Sequence, residues 1–396
     1  MLDFVSVRQQ ISEMVGDHQR REAEFAEKLR RAHQTFMQWE GAWESLAAKV
    51  ERSRSSWLVA ELRDALHARS SLPAVPEQLS VACTDGSQIF PDRHEVSSCY
   101  LINIGAVSIH YGTGERPVMY SRPTLVHSER ELYRSWGGRR TFVNQDIVSI
   151  HRTWMEWVEL AELLEQSKAE HRTCVGLWDG TLILWSLEGK PRDFQEEALR
   201  KFLPALDRLK ASGRPVGGYI SYPGSRDVVN ALRIGLCPED SPDCDRCSHF
   251  EHSEGGEAEP PCAAVEGVTD ALLFSNILQN GERSALFGSR SSILERYGGH
   301  RICFCYLNVG AEIARLEFPL WVAEDPEKMD LLHAGAYDQA QKGGGYPVAL
   351  AEAHEKAVVR GGDRELFYSL VRDALVSHDI RIQMSRKSLK KRSIGV

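Results

Sequence analysis

The strongest constraint on the fold is an Asp-Gly pair that occurs twice, each time after a short apolar run typical of a β-strand. Asp85-Gly86 follows the run from Leu79 to Cys83, and Asp179-Gly180 follows the run from Cys174 to Trp178. We therefore expect each aspartate at the end of a strand, beside a glycine that lets backbone approach closely. Asp-Gly-Ser is also an ordinary turn sequence, so one copy alone indicates little. Two copies at two strand ends indicate a shared acidic site.

The elements between the two aspartates follow a recognisable order. Apolar runs from Cys99 to Tyr111 and from Pro117 to Val126 predict two strands that continue the first in an antiparallel meander. From Asn144 to Lys168, apolar residues recur three and four apart, which predicts an amphipathic helix. Three strands, a helix and a strand are the core order of ribonuclease H-like folds, which place acids on the first strand, the helix and the fourth strand. We therefore predict an α/β fold with a ribonuclease H-like mixed sheet flanked by helices.

The predicted helix carries four glutamates, and element lengths choose among them. Helix from Glu156 to Lys168 rises roughly 18 Å and the strand from Cys174 to Asp179 returns about 20 Å, so Glu156 comes back level with Asp179. From Glu162 the helix rises only about 9 Å, which leaves its carboxylate short of the strand end. The helical wheel favours Glu162 instead, because Glu156 faces away from the centre of the apolar stripe. Glu156 is the first candidate and Glu162 the second.

The chain divides into three predicted parts. Residues 1–76 form an N-terminal helical, coiled-coil-like arm, whose helical spacing runs to about residue 68 and which Pro73 and Pro76 terminate. Residues 77–380 form the main domain, with a cysteine-bearing insertion at 237–266. Residues 381–396 are a basic tail, either a contact for nucleic-acid phosphates or a solvated end.

Composition limits the cellular location expected for the protein and the class of partner it could bind. No run of about 18 apolar residues is present, and the first residues lack the pattern of a signal peptide, so we expect a cytoplasmic protein without a membrane partner. The net charge of -8 argues against a uniformly basic nucleic-acid binder. It leaves room for a local basic groove or a metal-assisted site.

The insertion brings four cysteines into a segment rich in Pro, Gly and acids: Cys237, Cys244, Cys247 and Cys262. Cys244-x-x-Cys247 has the spacing of a zinc knuckle, and the other two thiols could complete a tetrahedral structural Zn²⁺ site. His249 or His252 could replace one thiol. The alternative is an acidic loop whose cysteines are incidental.

Three ordered segments resemble the NurA nuclease family. They are TDGSQIFPDRH with the following INIG, LWDGTLILW, and GGGYPVALAEAHEKA, and they span roughly residues 80 to 370. The resemblance places the two metal-binding aspartates of the family on Asp85 and Asp179 and its helix glutamate on Glu156. It places a Tyr and a His, eight residues apart, on Tyr346 and His354.

The resemblance also implies an activity and partners. It implies Mn²⁺-dependent cleavage of DNA in end resection and repair, with 5′ to 3′ exonuclease and single-strand endonuclease activities on single-stranded DNA and double-stranded ends. It further implies a homodimer and a partner ATPase of the hexameric HerA translocase type. The cysteine-bearing insertion departs from the pattern of the family.

The residue types suit phosphodiester hydrolysis. Asp85, Glu156 and Asp179 offer the hard oxygen ligands that Mn²⁺ or Mg²⁺ prefers, and two such ions neutralise a phosphate and activate water. His354 would act as a further ligand or as a proton shuttle. Tyr346 would position a phosphate or stack on a base.

Two other functions compete with this interpretation. An actin- or hexokinase-like ATPase also uses Asp-Gly-Thr turns at strand ends, but it would need neither Glu156 nor His354. A catalytically inactive DNA-end clamp or translocase adaptor would bind without cleaving. Such an adaptor has no reason to place Asp85 and Asp179 each at a strand end.

Overall fold

The computed structural model describes residues 3–91, 99–136, 138–247 and 260–380. His249, His252 and the predicted basic tail lie outside the described residues. The chain divides into two units. The first consists of the described residues of Met1–Leu72, Ile220–Ser292 and Arg301–Ala323, and the second of those of Pro73–Tyr219, Ile293–His300 and Glu324–Val396. The division at residue 76 that we derived from the sequence differs from these units and stays a prediction.

The described helices and strands are as follows. The helices are α1 (Phe4–Gln38), α2 (Trp43–Arg52), α3 (Glu129–Leu132), α4 (Gln145–Ala169), α5 (Arg192–Ser212), α6 (Asp227–Leu236), α7 (Asp270–Ser275), α8 (Leu320–Ala323), α9 (Pro326–Lys342), α10 (Val348–Ala357) and α11 (Gly361–Ser377). The strands are β1 (Glu61–Leu62), β2 (Arg69–Ser70), β3 (Leu79–Ile89), β4 (Tyr100–Tyr111), β5 (Val118–Val126), β6 (Tyr133–Trp136), β7 (Arg139–Phe142), β8 (Cys174–Asp179), β9 (Val216–Ile220), β10 (Arg283–Ser284), β11 (Phe287–Gly288), β12 (Ile302–Asn308) and β13 (Ile313–Pro319). None of the described helices is both long and apolar enough to span a bilayer.

The first unit packs helices against a small antiparallel sheet. Strands β12 and β13 form its hairpin, and β11 and β10 pair with β12. Helices α1 and α2 lie within the stretch predicted as an N-terminal helical arm, and they end at Arg52 rather than near residue 68. Phe36 on α1 meets Phe274 on α7 edge to face, with ring centroids 5.9 Å apart, inside one apolar core. The end of α1 is therefore part of a folded core and not a detached arm.

The second unit contains the predicted ribonuclease H-like sheet. Strands β3, β4 and β5 form an antiparallel meander, and β8 then pairs parallel with β3. Strand β9 pairs parallel with β8 on its other side. A parallel return needs a crossover, which α4 supplies between β5 and β8. The predicted order of three strands, a helix and a strand is confirmed.

Strand β3 is longer than the sequence indicated, so the strand end predicted after Cys83 is wrong. β3 pairs with β4 residue for residue, from Leu79 opposite Tyr111 to Ile89 opposite Leu101. The residue types in its second half are typical of a turn. Pairing with β4, and not side-chain type, holds these residues in an extended strand. On the other side, β8 pairs with β3 only as far as Thr84. The first aspartate of the site thus lies inside β3, at the point where the parallel neighbour ends.

Helices cover both faces of this sheet. A Cβ added to Gly176 on β8 would lie 2.9 Å from Leu164 Cδ1 on α4, so α4 packs closely on one face. A Cβ added to Gly217 on β9 would lie 2.8 Å from Leu332 Cδ1 on α9, on the other face. Helix α5 packs outside α4. The site described next lies between α4 and the C-terminal helices, at one end of β8.

Candidate active site

Strand register brings the two aspartates together. Thr84 of β3 pairs with Trp178 of β8, and the next residues on these parallel strands are Asp85 and Asp179. Adjacent strands lie about 4.8 Å apart, and residues at equivalent positions point to the same face of a sheet. Two carboxylates therefore stand side by side where β8 ends.

Glu156 approaches the same end of the strands from α4, on the face to which Gly86 points. The Thr84 hydroxyl donates a 3.0 Å hydrogen bond to the Glu156 carbonyl, which ties this turn of the helix to β3. The Glu156 side chain is buried, with 2% of the residue exposed, and its Oε1 lies 3.0 Å from Arg152 Nε. Burial, opposed by Arg152 and assisted by the charges of Asp85 and Asp179, raises the pKa of Glu156 to about 7. The three acids thus act on one another electrostatically.

A glycine makes room for this glutamate. A Cβ at Gly86 would lie 2.5 Å from Glu156 Oε1 and 2.7 Å from Arg152 Cγ, far closer than atoms pack. The glycine of the first Asp-Gly pair therefore serves as the space into which the Glu156 carboxylate is folded, and not as a turn.

His354 contacts Asp85 on the face of the sheet opposite α4. Helix α10 lies directly on β4 because Gly105, which pairs with Asp85, has no side chain; a Cβ there would lie 2.2 Å from the Ala353 carbonyl oxygen. Asn103 Nδ2 also donates a 2.8 Å hydrogen bond to the Ala357 carbonyl at the end of α10. His354 Nδ1 lies 2.8 Å from Asp85 Oδ2, and its side chain is 61% exposed. The imidazole is therefore anchored on the acid and open to solvent.

Tyr346 joins the second aspartate. Its hydroxyl donates a hydrogen bond to the Asp179 carboxylate, and its ring meets Tyr219 edge to face at 5.7 Å. Burial raises the pKa of Asp179, with Asp85 adding to the effect and the Tyr346 hydrogen bond opposing it. Burial and the neighbouring Asp179 also hold the pKa of Tyr346 well above its ordinary value.

Glu162, the second candidate on the helix, lies elsewhere. Its carboxylate accepts a 3.0 Å hydrogen bond from Arg122 on β5, and 42% of its side chain is exposed. Glu159 is buried and bonds the same arginine at 2.7 Å. The structure thus brings Asp85, Glu156, Asp179, Tyr346 and His354 together and leaves Glu162 out.

Comparison with known proteins identifies the family. The family model described as the NurA domain matches residues 79–359, well over half of the chain. The chain belongs to the NurA family. The comparison with curated proteins found no match.

Solved structures include several relatives at low identity. The NurA nuclease from Sulfolobus solfataricus shares 12% identity, with 78% of this chain and 88% of that chain covered and a TM-score of 0.48. A structure of NurA bound to dAMP and manganese shares 15% identity, covers 78% of this chain and 90% of that chain, and has a TM-score of 0.34. LC9-RNase H1, a type 1 RNase H with the type 2 active-site motif, shares 13% identity over 40% of this chain and 71% of that chain, with a TM-score of 0.19.

Two residues of this NurA-family site were not predicted from the sequence as parts of it. Arg152 lies four residues before Glu156, a spacing at which opposite charges pair on a helix, and its Nη1 donates a 2.9 Å hydrogen bond to Gln88. Gly105 ends the INIG segment, and a glycine inside a strand marks close approach of another backbone. Both signals were present in the sequence.

The fit of this NurA-family site to a divalent cation rests on its donor atoms. In residues 3–91, 99–136, 138–247 and 260–380, no three His, Cys, Asp or Glu side chains are already arranged to hold one metal ion. The three acids nevertheless supply hard oxygen donors of the kind that Mn²⁺ and Mg²⁺ prefer. Glu156 Oε1 is buried without a hydrogen-bond partner, because its contact with Arg152 is close but poorly aligned. Such an oxygen needs a further partner, and a cation fits it in charge and chemistry.

Proposed function

We propose that this chain is a divalent-metal-dependent DNA nuclease. The observation that carries the proposal is that Asp85 and Asp179, adjacent by strand register, lie within electrostatic range of the buried and incompletely satisfied carboxylate of Glu156. Membership of the NurA family supports the substrate class. The proposed ion is Mn²⁺, or Mg²⁺ in its place, and manganese is the ion named for one NurA structure.

The three carboxylates would hold the cation. When bound, it supplies charge neutralisation at a phosphate and a water that is nucleophilic near neutral pH. The protein contributes the orientation of each acid. Arg152 and the Trp178 side chain contact Glu156, and Tyr346 bonds Asp179, so both carboxylates have fixed directions.

We assign His354 to proton transfer. Asp85 binds its Nδ1, which fixes the ring and leaves its outer edge toward solvent, where a DNA backbone would approach. The second ring nitrogen can exchange a proton with a departing oxygen. We assign Tyr346 to orienting Asp179, beside which its hydroxyl could also meet a phosphate.

The finer features of the proposal come from the family. They are 5′ to 3′ exonuclease and single-strand endonuclease activity in end resection, a homodimer, and work with a HerA-type ATPase. Light scattering of the purified chain tests the dimer, since a single-chain mass contradicts it. Co-purification with a HerA-type ATPase and a change in its ATP hydrolysis test the partnership.

One experiment tests the core proposal. End-labelled linear DNA is incubated with the chain in Mn²⁺, Mg²⁺ or EDTA, with and without ATP. We expect cleavage that needs the divalent cation and does not need ATP. Binding to DNA without cleavage in either ion would favour an inactive clamp, and ATP hydrolysis without cleavage would favour an ATPase.

A further inference from the structure

A second set of ligand-type side chains lies in the first unit, apart from the carboxylates. Cys237, Cys244, Cys247 and Cys262 all line one cavity of about 210 Å³. All four carry free thiols. They come from the end of α6, a short turn and the segment after residue 259, so the fold gathers thiols that are up to 25 residues apart in the chain.

The loop that carries them is tied to the chain after α2. Cys244 N donates a 2.9 Å hydrogen bond to the Arg54 carbonyl, and Arg54 N donates a 2.8 Å bond to the Pro242 carbonyl. Ser56 N donates a 2.9 Å bond to the Asp245 carboxylate, and Lys49 Nζ donates to the Cys237 carbonyl. An incidental acidic loop would have no reason to be held at so many points.

Buried positive charge faces the thiols. The Arg233 guanidinium lies 3.9 Å from the centroid of the Trp57 ring, with only 10% of the side chain exposed, and it hydrogen-bonds Cys262. Four thiolates around a divalent ion carry a net charge of -2, which Arg233, itself 3.4 Å from the Glu266 carboxylate, offsets in part.

We propose that Cys237, Cys244, Cys247 and Cys262 bind one structural zinc ion. The Cys-x-x-Cys pair supplies two ligands from one turn, and the distant Cys237 and Cys262 close a tetrahedron of soft sulfur donors. Among the described residues no three of these groups are already set to hold an ion. Binding therefore draws the sulfurs inward to about 2.3 Å from the ion, and the cavity they line gives room for that movement.

Such a site stabilises the first unit. It would join the end of α6 to the Pro260–Pro261 segment, which enters the same apolar core through Val265. The proposal does not rest on the nuclease proposal, because its ligands are other residues and its readout is metal content.

The test is elemental analysis of the full-length protein purified without chelator. We expect one zinc per chain. Cys244→Ser and Cys247→Ser should each retain less than a tenth of that zinc. Cys99→Ser, which changes a buried cysteine outside the cavity, should retain all of it. As a test that does not depend on the folding of any variant, wild-type protein is also titrated with a mercurial thiol reagent, and zinc release should track modification of four thiols.

Several results would overturn the proposal. Purified protein without zinc, and with all of its accessible thiols reactive, would show that the cysteines are incidental. Four missing thiols restored by a reductant would show disulfides instead. Iron with visible absorbance would show a cluster of a different class. Zinc that persists in both serine variants would place the ion elsewhere in the chain.

Discussion

Asp85 and Asp179 follow the last paired residues of two parallel strands and therefore stand side by side on one face of the sheet. Their position depends on backbone register, and not on side-chain rotamers alone. Burial raises the pKa of Asp179, and repulsion by the neighbouring Asp85 carboxylate adds to the effect. A divalent cation between them would relieve that repulsion, so this pair is the part of the site whose removal is most informative.

Asp85→Asn and Asp179→Asn should each lower Mn²⁺-dependent DNA cleavage at least about 100-fold, because loss of a ligand should cost no less than loss of a residue that supports one. Asparagine keeps the size of the side chain, so folding should survive. The measurement is the initial cleavage rate on end-labelled DNA, with circular dichroism as a check on the fold. Full activity in either variant would remove the nuclease proposal.

Glu156→Gln and Glu162→Gln form a matched pair on one helix. The first removes the charge of the buried acid beside the aspartates and should abolish most activity. The second removes only a half-exposed partner of Arg122, so cleavage should stay within about threefold, as such surface pairs contribute little. The measurement is the initial rate of DNA cleavage by the two variants at the same Mn²⁺ concentration. An inactive Glu162 variant beside an active Glu156 variant would reverse the assignment.

Gly86→Ala and Gly105→Ala should separate loss of activity from loss of stability. At residue 86 the new methyl meets Glu156 Oε1 and Arg152 Cγ and Cδ, side-chain atoms that shift more easily than backbone, so activity falls and less stability is lost than at residue 105. At residue 105 it meets the backbone of α10, which cannot yield cheaply, so about 1–3 kcal/mol of stability should be lost along with activity. Urea denaturation beside cleavage rates distinguishes the two. Equal destabilisation of both variants would contradict this account.

His354→Ala should lower cleavage about 100-fold or more, as expected for loss of a general acid or base. Its side chain is exposed, so unfolding by urea should be nearly unchanged. Tyr346→Phe keeps the ring and loses only the hydrogen bond to Asp179, so a loss of about 10- to 100-fold is expected. If the alanine variant has a wild-type rate, proton transfer belongs to another group.

Stability should also depend on pH through a buried acid in the first unit. Burial and the nearby Asp227 raise the pKa of Asp270, which accepts hydrogen bonds from Val228 N, Val229 N and the Tyr306 hydroxyl. Between the unfolded value near 4 and the higher folded value, the folded state binds more protons, so stability falls as pH rises through that range.

Asp270→Asn should therefore flatten the decline in stability above about pH 4, because it removes one titrating group from the core. The measurement is the free energy of unfolding in urea between pH 4 and 8, for wild type and variant. Both proteins retain the nearby ion pair between Arg315 and Glu317, whose charged atoms lie 3.0 Å apart, so this pair does not account for a difference between them. An identical slope in the two proteins would assign the pH dependence to other groups.

Much of the candidate site could be predicted because the relative positions of its residues depend on the lengths of helix α4 and strand β8. The rise per residue of a helix and of a strand is nearly constant, so counting residues brought Glu156 level with Asp179. The helical wheel pointed to Glu162 instead, because it shows only where the apolar stripe lies. It cannot show that Gly86, on a neighbouring strand, leaves a space that a buried carboxylate can enter.

The remaining features depend on contacts between distant parts of the chain. The second half of β3 is held extended by its pairing with β4, and local propensity does not contain that information. The core shared by α1 and α7 joins residues more than 200 positions apart, as with Phe36 and Phe274. A pattern read within a short window can show that α1 is amphipathic, but not which residues it buries.

The contact between α10 and β4 at Gly105 joins parts of the candidate site that are synthesised at different times. The three carboxylates lie within residues 85 to 179, whereas Tyr346 and His354, just before and within α10, come much later in the chain. A chain still being synthesised would therefore hold its acids long before it holds its proton donor. If the proposed roles are correct, cleavage of DNA begins only once the chain has been made beyond His354.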